Sequence, residues 1–173
     1  VAKMIKCETT CEVMINENES QTGKLYFPDK FIVIFRLINE RFPNYDAVIP
    51  KDNPNRFTVL KADLIRVITN VLPSSNKTTH QVRFMFNENE LIINAQDIDY
   101  NRESSQSLKC KLVNGEPVEI GFNGKFMLEL IKQVESNEIT FELSTPKRAG
   151  VIKDKDNSTF IVMPVNISER ETA

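Results

Sequence analysis

The sequence predicts an α+β fold in which a strand–helix–three-strand half occurs twice, its strands forming a sheet with two helices on one face. Three observations lead there: segments recur in the same order, strand-length stretches alternate apolar and polar residues, and two longer stretches carry apolar residues at helical spacing. In the first half, Phe57-Thr58-Val59 leads into a helical stretch from Ala62 to Leu72, then strand-like segments at Gln81 to Phe86, Leu91 to Ala95 and Leu108 to Val113. In the second, Val118-Glu119-Ile120 leads into Lys125 to Val134, then Ile139 to Leu143, Gly150 to Lys153 and Thr159 to Val165. Turn formers such as Asn87-Glu88-Asn89 and Asp154-Lys155-Asp156-Asn157 separate the strands.

Both helical stretches are amphipathic. Leu64, Ile65, Ile68, Val71 and Leu72 form one apolar stripe, and Met127, Leu130, Ile131 and Val134 the other. Asn123 stands where its side-chain oxygen would cap the second helix. Burying the stripes on the strands turns Arg66, Thr69 and Asn70, and Lys125, Glu129 and Lys132, outward.

A coarser repeat reaches the start of the chain. Met4 to Ile15 aligns with Leu130 to Phe141, Gly23 to Phe27 lies near Gly150 to Lys153 in the same order, and Phe31 to Phe35 aligns with Phe160 to Met163. The offset of about 126 to 129 residues (Met4 to Leu130, Phe31 to Phe160) is the size of a domain. In this register Lys6, Thr69 and Lys132 are equivalent, as are Lys3, Arg66 and Glu129. The opening residues Val1 to Lys6 read as a helix cut part-way, so a fragment is expected. Residues 1–46 then form the second half of one domain and 47–173 a whole one with a short tail. The joint from Arg41 to Pro54 has three prolines, which favour an extended connector. Its apolar Phe42, Tyr45, Val48 and Ile49 are expected to pack against both neighbours.

Composition narrows the function. The chain has 173 residues, enough for one domain and a fraction; 40% hydrophobic and 27% charged residues are ordinary globular values. The longest purely apolar run, Phe31 to Phe35, is far below the roughly 20 residues of a membrane span. With 22 basic and 24 acidic side chains the net charge is −2, so the chain is no basic arm, although one face can still be basic. Cys7, Cys11 and Cys110 cannot all pair and read as reduced thiols of a cytoplasmic protein. His80 is the single histidine, so neither a zinc site nor a base beside a nucleophile is expected. Asp97 and Asp99 would share one side of a strand without a third ligand. No catalytic residue, metal or cofactor is assigned, and the chain is not read as an enzyme.

Three stretches together resemble the bacterial DNA sliding clamp, the beta subunit of the replicative polymerase: Arg41-Phe42-Pro43-Asn44-Tyr45 through Ile49-Pro50, Glu119-Ile120-Gly121-Phe122-Asn123, and Phe160-Ile161-Val162-Met163-Pro164-Val165. The resemblance covers essentially the whole chain up to Ser168. It implies the DNA-clamp fold, three domains per subunit and a homodimeric ring around double-stranded DNA, with 1–46 in the middle domain and 47–173 as the third. It also implies a processivity factor that holds duplex without reading sequence, for which base contacts would be a defect. Lys3, Lys6, Arg66, Lys125 and Lys132 are the candidates for the DNA-facing surface, and Leu72 with a neighbouring edge strand for the subunit interface.

The family also implies a pocket capturing short linear peptides, of the Gln-Leu-x-Leu-Phe type, from the replicative polymerase, the clamp loader and repair proteins. The matching positions are Pro43, Val48, Asn123, Phe126, Met163, Pro164 and Val165. Met and Pro give such a pocket an adaptable apolar floor. The chain departs from the family at Asn44, where Asp is usual, at Ala47 and Asn166, where some members carry Arg, and at Phe126, where some carry Tyr; lost polar groups would alter peptide preference. The competing reading is a stand-alone peptide-binding module with no DNA role.

Overall fold

A computed structural model describes residues 12–16, 21–27, 31–38, 40–42, 44–154 and 158–167. Lys3, Lys6, Cys7, Cys11 and Pro43, all singled out above, lie outside the described residues. The chain divides into two compact units, Val1–Asn44 and Tyr45–Ala173.

In the first unit β1 (Glu12–Asn16), β2 (Thr22–Phe27) and β3 (Phe31–Arg36) form an antiparallel sheet in chain order. The register sets Val13 opposite Leu25 and Leu25 opposite Val33, one apolar row across the three strands. Phe27 and Phe31 close the second hairpin, their ring centroids 4.6 Å apart.

The second unit contains the repeated halves. The first is β4 (Asn55–Leu60), α1 (Lys61–Val71), β5 (Gln81–Phe86), β6 (Glu90–Asp97) and β7 (Arg102–Asn114). The second is β8 (Val118–Asn123), α2 (Gly124–Gln133), β9 (Glu138–Leu143), β10 (Gly150–Lys153) and β11 (Thr159–Val162). Among the described residues the strands make one eight-stranded antiparallel sheet in the order β11-β10-β9-β4-β7-β6-β5-β8. Its two ends meet: Val165, just past β11, forms a bridge with Gly121 of β8.

Alternation decides which side chains face inward. Val82, Phe84 and Phe86 of β5 are buried, whereas Gln81, Arg83 and Met85 between them are partly exposed. The inward residues of the strands and the buried stripes of both helices form one core. Its centre is aromatic: Phe57 lies 4.8 Å from Phe86, Phe86 lies 5.3 Å from Phe141, and Phe84 meets Phe122 edge-on at 5.4 Å. Both helices pack into this core and touch each other, as the repeat predicts.

The structure corrects several details. The first helix is Lys61–Val71, one residue earlier than expected; Leu72 instead opens a short 3-10 turn, Leu72–Ser74. Pro73 has no N–H with which to continue the α-helical ladder. Val67, outside the predicted stripe, is fully buried, because α1 rests on β7 and β6 as well as α2. Strand β7 is much longer than its apolar part: Glu103 to Ser107 are held in the sheet by pairing with β6. The last strand ends at Val162, and Asp97 and Asp99 are separated, one buried at the end of β6 and the other exposed in the following turn. In the joint, Tyr45 and Val48 do not become core: a 3-10 turn over Tyr45–Ala47 leaves them 57% and 56% exposed.

Burial also fixes the state of Cys110, which is 6% exposed on β7. Desolvation pushes its thiol up from 9.0 to about 11, against the lowering effect of a backbone hydrogen bond at Lys111. In the unfolded chain the thiol ionises first, so its contribution to stability is complete below about pH 9 and is lost as pH rises toward about 11. The difference in unfolding free energy between the wild type and Cys110→Ala should be flat from pH 7 to 9 and fall above that. Urea titrations of both proteins across this range check it.

Candidate functional site

Of the predicted pocket residues, Asn123 and Phe126 lie where β8 runs into α2, and Val165 is bridged to Gly121 of the same strand. Asn123 ends the strand in extended conformation, and its Oδ1 accepts from the backbone N–H groups of Lys125 at 3.0 Å and Phe126 at 3.1 Å. This is the cap expected from the sequence, satisfying two of the helix's orphan donors. The other side of the amide is also engaged: Nδ2 donates to the carbonyl of Thr79 at 2.9 Å. One step on, the N–H of Gly124 donates to His80 O at 2.8 Å and carries the β5–β8 pairing into the helix start. The helix enters tightly because residue 124 has no side chain: a Cβ there would stand 2.7 Å from Val82 Cγ2 and 2.8 Å from Leu72 Cδ1.

The last strand reaches the same place from the other end of the sheet. The N–H of Val165 donates to Gly121 O at 2.9 Å. A Cβ on Gly121 would lie 2.8 Å from Val165 O, so only glycine allows this approach. Asn123, Phe126 and Val165 are therefore tied together through one strand end. Phe126 is 66% and Met163 62% exposed, while Pro164 and Val165 are half-buried. Two large apolar side chains thus stand uncovered beside a bridged backbone, which rules out a core role for either. Val48 is exposed after its turn; the segment following it is anchored where Asn53 Nδ2 donates to Glu142 O at 2.9 Å and Ala149 O at 3.2 Å, and where Arg148 pairs with Asp52 at 2.8 Å.

The cations expected to face DNA lie on the outward sides of the helices. Arg66, Lys125 and Lys132 are all exposed. Arg66 pairs with Asp63 one turn earlier at 3.2 Å; among the described residues no carboxylate lies within ion-pair distance of Lys125 or Lys132. Lys125 borders a cavity of about 330 Å³ together with Thr69, Leu72, Pro73 and His80. Leu72 packs partly against the core. A wider cavity of about 1060 Å³ runs between α1, at Asp63 and Arg66, and Ser107 to Lys109 of β7, and contains neither Phe126 nor Met163.

β7 also has an open edge. It pairs with β6 through Arg102 to Lys109 and with β4 only from Cys110 onward. Among the described residues no strand occupies the other side of Glu103 to Ser107. Sequence reasoning expected an edge strand beside Leu72 without saying which, and it missed the role of the loop Asn76–His80, which supplies both carbonyls used at the start of α2. Asn76 followed by Thr78 and Thr79 was the available signal, an Asx-turn pattern.

Over residues 46–166 the chain matches the family described as DNA polymerase III beta subunit, C-terminal domain. The chain belongs to that family. It is 25% identical to the beta sliding clamp of Chlamydia muridarum over 138 residues, 80% of this chain and 37% of that protein. With the Escherichia coli beta sliding clamp it shares 26% over 140 residues, 79% of this chain and 37% of that protein. The crystal structure of the sliding clamp from Pseudomonas aeruginosa has the same fold, with a TM-score of 0.81 at 18% identity over 96% of this chain and 44% of that one. That of Bartonella birtlesii gives 0.77 at 25% identity over 90% and 43%. The chain thus spans well under half the length of these sliding clamps.

Removing the cap should loosen the whole β8–α2 junction, because both ends of one amide are in use. Asn123→Ala is expected to cost about 1–2 kcal/mol of folding stability, read from urea unfolding. Asn123→Asp, which keeps the acceptor but not the donor to Thr79, should cost less.

Proposed function

We propose that this chain is the C-terminal part of a ring-forming sliding clamp, a processivity factor that encircles duplex DNA and holds the replicative polymerase, the clamp loader and repair proteins by short peptides. Family membership supports it, and the observations that support the peptide part are two exposed apolar side chains, Phe126 in the first turn of α2 and Met163 two residues before the Gly121–Val165 bridge to the strand that leads into α2. An apolar peptide side chain would cover both, while Pro164 and Val165 form a stiff floor. Pro43 and Val48 are assigned to the pocket from the family resemblance alone. The first unit is then the second half of the middle domain.

The helices supply the surface toward DNA. Lys125 and Lys132, with Arg66 and the earlier Lys3 and Lys6, would meet phosphates and leave the bases unread. The ion pair of Arg66 with Asp63 and the presence of Glu129 hold the attraction down, as sliding requires. The open edge of β7 supports a subunit contact beside Leu72. A row of serine and glutamine with no proline or lysine between Glu103 and Ser107 lacks the devices that protect a free edge, so a strand from a second subunit can add there. The reading assigns no catalysis and no cofactor, and places the protein in the cytoplasm with the replication machinery.

Introducing a charge at the pocket tests the peptide part. Met163→Glu should weaken binding of a Gln-Leu-x-Leu-Phe type peptide by about tenfold or more, since a carboxylate would be desolvated against an apolar side chain; equal affinities would remove the pocket. Reversing Arg66 and Lys132 to Glu in a ring-forming full-length protein should lower loading on DNA and processive synthesis, with the deficit relative to wild type greatest at low salt and shrinking as salt rises. Unchanged processivity would exclude the helix face as the DNA surface.

A further inference from the structure

We infer that Asn76, which lies outside the pocket, is a positioning residue for it: its turn fixes Thr79, Thr79 fixes Asn123, and Asn123 sets the helical turn that carries Phe126. The inference rests on the peptide-pocket reading above and concerns how that site keeps its shape.

The chain of contacts is continuous. Asn76 Oδ1 accepts from the N–H groups of Thr78 at 2.9 Å and Thr79 at 3.2 Å, and its own carbonyl accepts from His80 N at 2.8 Å. Three bonds to one residue fold five residues into a closed loop. His80 is held there at φ 48°, a left-handed conformation that is costly for a side-chain-bearing residue and persists only when its neighbours determine it. The loop's two carbonyls are then aimed at the helix start: Thr79 O receives Asn123 Nδ2 at 2.9 Å, and His80 O receives Gly124 N at 2.8 Å. Asn123 passes the constraint on through its bonds to Lys125 N and Phe126 N.

The consequence is a division of labour at Asn123. Both ends of its amide are occupied within the chain, so a peptide that draws on this side chain must compete with Thr79 or with the helix cap. Without the turn at Asn76, Thr79 O would no longer be held toward Asn123, and Asn123 would be free to rotate away from the cap. The first turn of α2 would then fray, and Phe126, 66% exposed, has little packing of its own to hold it in place.

Asn76→Ala and Asn76→Ser separate this from general destabilisation, because serine retains a side-chain acceptor for the same turn. The peptide is a fluorescein-labelled Gln-Leu-x-Leu-Phe type sequence, followed by anisotropy, with Met163→Glu as the control for the pocket itself. Asn76→Ala should lower affinity about fivefold and speed amide exchange at Phe126 by a similar factor, the scale of one lost loop hydrogen bond, with exchange in β4 and β9 unchanged. Asn76→Ser should return both readings to within about twofold of the wild type. Wild-type affinity and exchange in Asn76→Ala, or equal losses in the alanine and serine variants, would overturn the inference. If the wild type and Met163→Glu bind alike, the pocket reading fails and takes the link to peptide with it; exchange at Phe126 still decides whether Asn76 governs the helix start.

Discussion

The constraint on which the second unit depends is that one sheet has a continuous apolar face and, among the described residues, two short α-helices to cover it. Phe57, Phe84, Phe86, Phe122 and Phe141 are fully buried in that face, and none could be left to water without losing about 2–3 kcal/mol of transfer free energy. Both helices bury one side against that face, touching each other as well as the strands. Their opposite sides are then forced outward together. The exposure of Arg66, Lys125 and Lys132 on these outward sides is thus a by-product of closing the core, available for a function that needs a broad and weakly basic face.

The repeated halves also show where the symmetry ends. In the first half β4 lies between its own last strand β7 and the other half's β9. The corresponding place for β8 is between β5 and β11. The β5–β8 pairing is complete from Gln81 to Phe86, but between β8 and the end of β11 a single bridge remains, at Gly121 and Val165. Pro164 has no N–H to offer a ladder, and the chain leaves the sheet at Met163 before it returns at Val165. That unfinished pairing leaves Met163 exposed. The proposed peptide site therefore falls where the repeat is incomplete, while the equivalent seam beside β4 is closed by paired strands.

Much of this could be read in the residues. Alternation placed the strands of both halves, the helical stripes placed both helices within a residue, and Asn123 caps the second helix as its position suggested. What escaped were features decided by distant parts of the chain. Glu103 to Ser107 have no apolar pattern, and become strand because β6 lies beside them. Val67 is buried because α1 is flanked on more sides than one stripe can describe. Phe126 and Leu130 sit four residues apart on one helix, yet the first is exposed and the second packs on the core; local spacing alone does not separate them. The loop Asn76–His80 is legible as a turn, but its use as a support for Asn123, some forty positions later, belongs to the fold alone.

The helix termini help to sort the cations. Lys132 lies in the last turn of α2, where a positive charge is favoured by the helix dipole by about 0.3–1 kcal/mol; its presence there needs no function to explain it. Arg66 is partly answered by Asp63, a pairing worth a few tenths of a kcal/mol on an exposed helix. Lys125 is different. It stands in the first turn of α2, where the dipole disfavours a cation by about the same amount as it favours Lys132, and among the described residues no carboxylate pairs with it. A solvated helix surface selected for stability alone would place Asp or Glu at this position. A lysine set against the local field, beside Thr69 of the neighbouring helix, is the arrangement an anionic partner outside the chain would offset, and of the three candidate cations described it bears most directly on the proposal that the helices face phosphate.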